Sequence, residues 1–382
     1  MDSHPKILFI TNFCPHYRIK TFEILAQKVN IRYYFFSNGD EWYWQEQHGI
    51  NSGKFNHLYL KKSSNSKIKA QLLLIKYLLF DEYDMVIKCI NGRAILPITF
   101  LIVKIRQKPF ILWTGIWTRI NTPFHRFFFP FLKAILHHSD AIVTYGNHVK
   151  EYLISESINS MKIFNTCHAI DNQLYQRCAN IDLVKFMRTR YQIKDTDLVV
   201  LYLGRLEEIK GLTYLIEAYS FISTPNYHLI IAGDGSLMNE LKHIVSMKGL
   251  SKNIHFPGYV ANSNAVEYYS LADIFVLPSI SVPSGKETWG LTINEAFNQK
   301  LPVVTTDAVG AAAGGLVENE INGLIVREKD SKSLAIAIHR LLSNNELRKE
   351  FGLKAYKKIR SWNNEVMTDD FVSAIRSVNK TN

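Results

Sequence analysis

Two carboxylates, Glu287 and Glu295, close the stretch IFVLPSISVPSGKETWGLTINE that begins at Ile274. The stretch reads as a buried strand (Ile274 to Leu277), a loop rich in Ser, Pro and Gly, and a helix opening near Gly290. A strand that feeds a helix N-terminus through small residues makes an anion cradle, because free N–H groups and the helix dipole face the ligand together. Glu295 falls about one turn inside that helix, within reach of a sugar diol beyond a phosphate. This chemistry suits a nucleotide or nucleotide-sugar whose ribose hydroxyls donate to Glu295. The plainer alternative is a Glu facing solvent on an ordinary helix.

Two further loops follow strands in the same half. Gly204-Arg205-Leu206-Glu207-Glu208-Ile209-Lys210-Gly211 succeeds LVVLYLG, and Gly233-Asp234-Gly235 ends HLIIAGDG. Ligands of open α/β sheets bind outside the carboxyl ends of strands, so Arg205 and Lys210 stand where two cations would meet a diphosphate. A departing nucleoside diphosphate gathers negative charge, which fixed cations and a helix mouth can stabilise without a metal. Otherwise the two are ordinary surface cations. Asp195-Thr196-Asp197 resembles a metal-binding DxD, but it precedes its strand. About six residues at ~3.3 Å put it ~20 Å from the loop edge. It is expected to be a surface turn, and no metal is expected.

The elements that must position these groups alternate along the chain. KILFIT, IRYYFFS, MVIKCI, PFILWT and AIVTYG read as strands. Helices fall between them around Ile19 to Lys28, Ser66 to Phe80, 95–106 and 124–138. Glu41 to Tyr59 carries no clear period, and Asn38-Gly39-Asp40 reads as a turn. After a polar, irregular linker at 171–195 the pattern restarts, with the strands LVVLYLG, HLIIAGDG, NIHFPG, IFVLPS, PVVTTD and GLIV. Helices are expected at Leu212 to Phe221, 237–248, 264–270 and 290–299, with two more closing the unit. Such alternation implies doubly wound parallel sheets. At 382 residues the chain exceeds one typical core, so two domains are expected: 1–175, with a C-terminal helix at 362–380 packing back on it, and 190–361.

Composition narrows the partners. The net charge is +11, and it is unevenly placed. Residues 1–180 hold 22 Lys and Arg against 12 Asp and Glu, leaving 23 against 22 for residues 181–382. A basic first half points to an acidic partner, nucleic acid or anionic lipid, and no nucleic-acid-binding module accompanies the charge. No apolar run is long enough for a transmembrane helix, and the N-terminus lacks the layout of a signal peptide. Cys14, Cys89, Cys167 and Cys178 show no metal-ligand spacing and are expected to be reduced thiols of a cytoplasmic protein.

Gly204-Arg205…Lys210-Gly211, Gly233-Asp234-Gly235, Glu287-Thr288-Trp289-Gly290-Leu291 running on to Asn294-Glu295-Ala296, and Asn322-Gly323-Leu324-Ile325-Val326 resemble the C-terminal half of family 4 retaining glycosyltransferases of the GT-B fold. The likeness is to the bacterial surface-polysaccharide type and covers about 198–330. It implies two Rossmann-like doubly wound domains facing across a cleft, the second binding a UDP- or GDP-linked sugar as co-substrate with no other cofactor. It implies that Arg205 and Lys210 hold the donor diphosphate, with Gly233 and Asp234 in the donor loops. It further implies Glu295 on the ribose hydroxyls, Glu287 facing the donor sugar, and the Gly290 and Leu291 amides on phosphate. Gly258, Tyr259 and Val260 would border the base.

The first half departs from that family. The usual Gly-Gly loop is replaced by Asn12-Phe13-Cys14-Pro15-His16-Tyr17-Arg18, and Trp113-Thr114-Gly115 stands where many members place a His. His16, Arg18, Trp113 and His125 are the candidate acceptor residues, or else cap and pack their elements. Two segments, Ser66 to Phe80 and Pro123 to His138, set Leu72, Leu73, Ile75, Leu79, Phe80, Phe124, Phe127, Phe128, Phe129, Phe131 and Leu132 beside Lys67, Lys69, Lys76, His125, Arg126 and Lys133. Such helices can lie in a membrane surface, or their aromatics can be core. The resemblance implies a lipid-linked glycan acceptor at the inner membrane face and retention of configuration without an obvious carboxylate nucleophile. A nucleotide-sugar epimerase and a non-catalytic scaffold subunit are the rival readings.

Overall fold

The computed structural model describes residues 5–37, 54–61, 66–222 and 224–379. The chain divides into two units, one of residues 1–170 with 363–382 and one of residues 171–362. The Asn38-Gly39-Asp40 turn and most of the 41–59 stretch lie outside the described residues.

In the first unit seven strands pair in parallel: β1 (Ile7–Thr11), β2 (Ile31–Phe35), β3 (His57–Tyr59), β4 (Met85–Cys89), β5 (Phe110–Thr114), β6 (Ala141–Tyr145) and β7 (Ile163–Thr166). Their spatial order is β3-β2-β1-β4-β5-β6-β7. Every residue of β1, β4 and β5 is buried, as expected of strands covered by helices on both faces. The short strand β3 has no counterpart in the sequence reading, since three half-buried residues carry no period. The chain runs outward in both directions from β1 and β4, so the loops after those two strands diverge and leave a crevice.

Ser66 caps the helix Lys67–Phe80 by accepting from the Lys69 amide at 3.2 Å, and Thr122 caps Pro123–His138. The helix Lys67–Phe80 seats Ala70, Leu74 and Leu78 on the core. Leu72, Leu79 and Phe80, assigned to its apolar face from sequence, are exposed. On Pro123–His138 the core reading is corrected for Phe127, Phe128 and Phe131, of which Phe127 and Phe131 are 70% and 59% exposed, whereas Phe129 is half-buried. These helices flank Ile95–Ile105, whose Leu101 and Ile105 also face solvent. No helix among the described residues is long and apolar enough to cross a membrane.

The last helix, Asn364–Asn379, packs on β6, β7 and the helix Ile19–Lys28. Its buried Asn364 accepts from Thr21 Oγ1 at 2.7 Å and donates to the Ile170 carbonyl at 2.9 Å. Three of the four thiols, Cys14, Cys89 and Cys167, are buried, and burial pushes them up to about 12, 11 and 12.

The second unit holds six parallel strands: β8 (Leu198–Leu203), β9 (Tyr227–Ala232), β10 (Ile254–Gly258), β11 (Ile274–Leu277), β12 (Val303–Thr306) and β13 (Gly323–Val326). Their order is β10-β9-β8-β11-β12-β13, which puts the reversal between β8 and β11. The stretch expected to be an irregular linker instead holds two helices, Asn172–Tyr175 and Ile181–Arg190. Asn180 caps the second helix, and Val184 and Met187 are its inner face. Its apolar residues do not mark one face, since Ile181 and Phe186 are exposed while Val184 and Met187 are buried.

Asp195-Thr196-Asp197 is only partly the surface turn expected. Asp197 is buried at 3% exposure, accepts from the Lys194 amide at 2.9 Å, and lies 3.3 Å from His228 Nε2.

Candidate functional site

The loops after β8 and β11, on either side of the reversal, are laced together. The Ile280 amide donates to the Ile209 carbonyl at 2.8 Å, and the Leu206 amide donates to the Asp234 carbonyl in the loop after β9 at 2.9 Å. Gly211 holds a left-handed φ of +65°, and a Cβ there would lie 2.1 Å from the Pro278 carbonyl oxygen. Only glycine permits both the turn and the close approach. The lacing brings the Lys210 ammonium onto the Glu287 carboxylate, which also accepts from Ser279 Oγ at 3.3 Å. Arg205 pairs at 2.7 Å with Glu207, two residues along its own loop. The Tyr202 hydroxyl donates to the Arg205 carbonyl at 2.6 Å, and Glu287, Arg205 and Glu207 all lie within electrostatic reach of it.

Gly290, with φ +89°, precedes the helix Leu291–Asn298. The Gly290 and Leu291 amides meet no acceptor among the described residues, as the first N–H groups of a helix must unless a side chain or ligand supplies one. Lys210, Glu287 and these amides thus gather at one sheet edge, where the ammonium and the N–H groups can meet an anion's oxygens.

Glu295 lies deeper than its place in the sequence suggests. It is buried on the inner side of its helix, where Tyr269 donates to Oε2 at 2.7 Å and the Tyr175 hydroxyl faces the same carboxylate. Burial pushes the carboxyl up to about 7, against the opposing pull of the two phenols. Neither tyrosine was singled out from sequence. Tyr175 falls in the stretch read as a linker, and Tyr269 reads as ordinary packing on its short helix. Gly258 ends β10 and accepts from the Gly233 amide at 2.8 Å, with exposed Tyr259 and half-buried Val260 next to it. Asp234 Oδ1 accepts from the Gly235 amide at 2.8 Å.

The first unit has a pocket of about 180 Å³ at its own reversal, where the loops after β1 and β4 part. Arg18 and Trp113 line it, with Asn12, Asn91, Tyr145 and His168. Arg18 is 5% exposed, stacks over the Trp113 ring at 4.7 Å, and reaches His168 Nε2 at 2.5 Å and Met367 Sδ at 3.4 Å. Burial lowers the guanidinium pKa, and burial together with Arg18 and His148 holds His168 well below the usual imidazole range.

His16 and His125 do not line this pocket. His16 packs edge-on against Tyr17 at 5.4 Å, and His125 Nδ1 lies 2.7 Å from the capping Thr122 hydroxyl. His168 was missed from sequence, although a His just past a strand end, in HAID after FNTC, is a signal of the same kind as His16.

Among the described residues no group of three or more His, Cys, Asp or Glu is arranged to hold a metal ion.

Residues 184–358 match the family described as "Glycosyl transferases group 1". The alpha-D-kanosaminyltransferase of Streptomyces kanamyceticus is 30% identical over 171 residues, 44% of this chain and 42% of that protein. The lipopolysaccharide core biosynthesis glycosyltransferase LpsE of Rhizobium meliloti is 28% identical over 180 residues, 47% of this chain and 50% of that one. These matches span half or less of the relatives' own length. The fold extends further: Anabaena HepE, solved with UDP and glucose, superposes with a TM-score of 0.77 over 98% of this chain and 100% of its own at 18% identity. The solved glycosyltransferase of Rickettsia africae superposes likewise, with a TM-score of 0.78 over the whole of both chains at 17% identity. Two Rossmann-like units with parallel sheets are therefore shared with these structures, as the sequence led us to expect.

Proposed function

We propose that the chain is a retaining glycosyltransferase that moves a sugar from a nucleotide-sugar to a lipid-linked glycan in cell-surface polysaccharide synthesis. The observation that carries this reading is the Lys210–Glu287 pair beside the unpartnered Gly290 and Leu291 amides at the reversal of the second sheet. A donor diphosphate there exchanges Glu287 for phosphate oxygens on Lys210, with Arg205 as the second cation, and frees Glu287 to face the donor sugar. With that exchange made on donor binding, charge developing on the departing diphosphate meets cations and amides already in place, and no cofactor or metal is required. Glu295 takes the ribose hydroxyls, while Gly258, Tyr259 and Val260 border the base.

Lys210 holds Glu287, Glu207 pairs with Arg205, and Glu328 accepts from Ser281 Oγ at 2.5 Å. Each is engaged by a neighbouring group, and none stands out as the nucleophile of a glycosidase-type carboxylate pair. The resemblance to family 4 retaining glycosyltransferases implies instead a same-face transfer in which the departing phosphate takes the acceptor's proton, and that is the reading adopted. The first unit presents the acceptor through Arg18 and Trp113. Its exposed Leu72, Phe80, Phe127 and Phe131, with Lys67, Lys69, Lys76 and Arg126 beside them, suit the anionic inner face of the cell membrane.

The test is a screen of labelled UDP- and GDP-sugars for protection against thermal unfolding, followed by donor hydrolysis with and without acceptor. Protection by one donor, with hydrolysis lost in Lys210→Met, supports the reading. Binding without any hydrolysis favours a scaffold, and conversion of the donor sugar without transfer favours an epimerase.

A further inference from the structure

We infer that the pocket between the loops after β1 and β4 binds an oxyanion, a phosphate or a carboxylate, carried by the acceptor. That the carrier is the acceptor rests on the glycosyl-transfer reading. The oxyanion itself rests on the pocket.

Arg18 is the first reason. A guanidinium offers five N–H donors and cannot shed its charge. In this pocket it has only a thioether sulfur and one imidazole nitrogen as acceptors, and no carboxylate pairs with it among the described residues. Because Arg only donates, His168 Nε2 must accept, which places the ring proton on Nδ1 and leaves the imidazole neutral. The Trp113 and Tyr17 rings, at 4.7 and 5.3 Å, favour a cation there but do not neutralise it. A buried charge is normally paired, and no described residue lining this space is an Asp or a Glu.

Lys88 supplies the second reason. It is fully buried, has no carboxylate partner among the described residues, and donates to the Cys89 carbonyl at 2.5 Å, the Asn91 carbonyl at 2.7 Å and Asn91 Oδ1 at 3.1 Å. Burial lowers its pKa to about 7, but two of its three partners are carbonyl oxygens, so it donates to them in either state, and as an ammonium it can only donate to the third. Asn91 must turn its Oδ1 to Lys88, so its Nδ2 donates to Thr11 Oγ1 at 3.0 Å and Asn12 Oδ1 at 2.8 Å. Asn12 Oδ1 also accepts from Thr11 Oγ1 at 3.1 Å, so its Nδ2–H groups are turned away from the relay. They meet no acceptor among the described residues, and Asn12 lines the pocket. The buried lysine thus acts as a positioning residue that presents amide donors beside a guanidinium.

The pocket's 180 Å³ is about six waters at ~30 Å³ each, room for an oxyanion and part of the group bearing it. The second unit already has cations suited to a donor diphosphate, so this anion belongs to the other substrate.

Calorimetric titration of the full chain with inorganic phosphate, galacturonate and neutral galactose tests the proposal. We expect heat from one or both anions, with a component weakened roughly tenfold or more by Arg18→Met and by Asn12→Asp that persists in Lys210→Met, whatever phosphate the second unit takes up by itself. Phosphate alone would support a phosphorylated acceptor, and galacturonate alone an acidic sugar. Should Arg18→Met fail to fold, the near-isosteric Asn12→Asp decides. Absence of anion binding, equal binding of galactose, or wild-type affinity in Asn12→Asp overturns the inference. So does phosphate binding abolished by Lys210→Met, which would put the anion in the second unit. None of these results depends on finding a donor, so the two proposals fail separately.

Discussion

The Lys210 ammonium closes on the Glu287 carboxylate across 77 residues of sequence, tying the loop after β8 to the loop after β11. Both side chains are largely shielded, at 12% and 15% exposure. Removing one therefore leaves the other short of a partner, a larger loss than for an open surface pair. Lys210→Met and Glu287→Gln should each lower kcat/KM for transfer by ~10²-fold or more. The double variant should fall by less than the product of the two, as expected of groups acting as a unit. Steady-state kinetics on folded protein decide this, and wild-type turnover in Lys210→Met would remove the site assignment.

Gly211 is the hinge point of that lacing. Gly211→Ala places a Cβ against the Pro278 carbonyl at a φ of +65°. The backbone strain alone costs ~1 kcal/mol, and the clash adds to it. Urea unfolding should show the loss, with weaker donor protection because the two loops are forced apart. Unchanged stability would mean the loops are not in contact in solution.

Glu295 imposes a pH dependence. An unfolded Glu titrates near ~4.3, whereas in the folded chain burial holds this carboxyl at about 7. The folded state binds the proton more tightly, so this group's contribution to stability falls as pH rises between those values and levels off above them. Glu295→Gln keeps an acceptor for Tyr269 and cannot ionise. It should gain ~1–3 kcal/mol on wild type at pH 8 relative to the difference at pH 4.5. Melting curves at both pH values test the sign, and a difference that does not move with pH refutes it.

The exposed aromatics of the first unit separate membrane contact from core packing. Phe80→Ser with Phe127→Ser and Phe131→Ser should leave folding stability within ~0.5 kcal/mol per site yet reduce sedimentation with anionic vesicles. Leu74→Ala, at a fully buried position on the core face of Lys67–Phe80, should cost ~2–5 kcal/mol. Undiminished vesicle binding by the triple variant would argue that this face meets something other than lipid.

Much of this was legible because the strands are continuous apolar runs and the donor-side loops follow them directly in the chain. The signal failed where burial depends on a partner distant in sequence. Asp197 reads as surface until His228 is laid beside it, and Leu72 and Leu74 look alike until the sheet chooses which of them to cover.

By itself the sequence determined the α/β alternation, the two-unit organisation, and the loops on which Arg205, Lys210, Glu287 and Glu295 stand. Hydrophobic period and turn residues act over a few neighbours, and those neighbours are written consecutively. Only the tertiary structure decided that Lys210 meets Glu287, that Glu295 sinks between two tyrosines, and that Arg18 is buried beside His168 with no opposing charge. Those outcomes depend on where each sheet reverses its strand order, which brings together loops from distant parts of the chain.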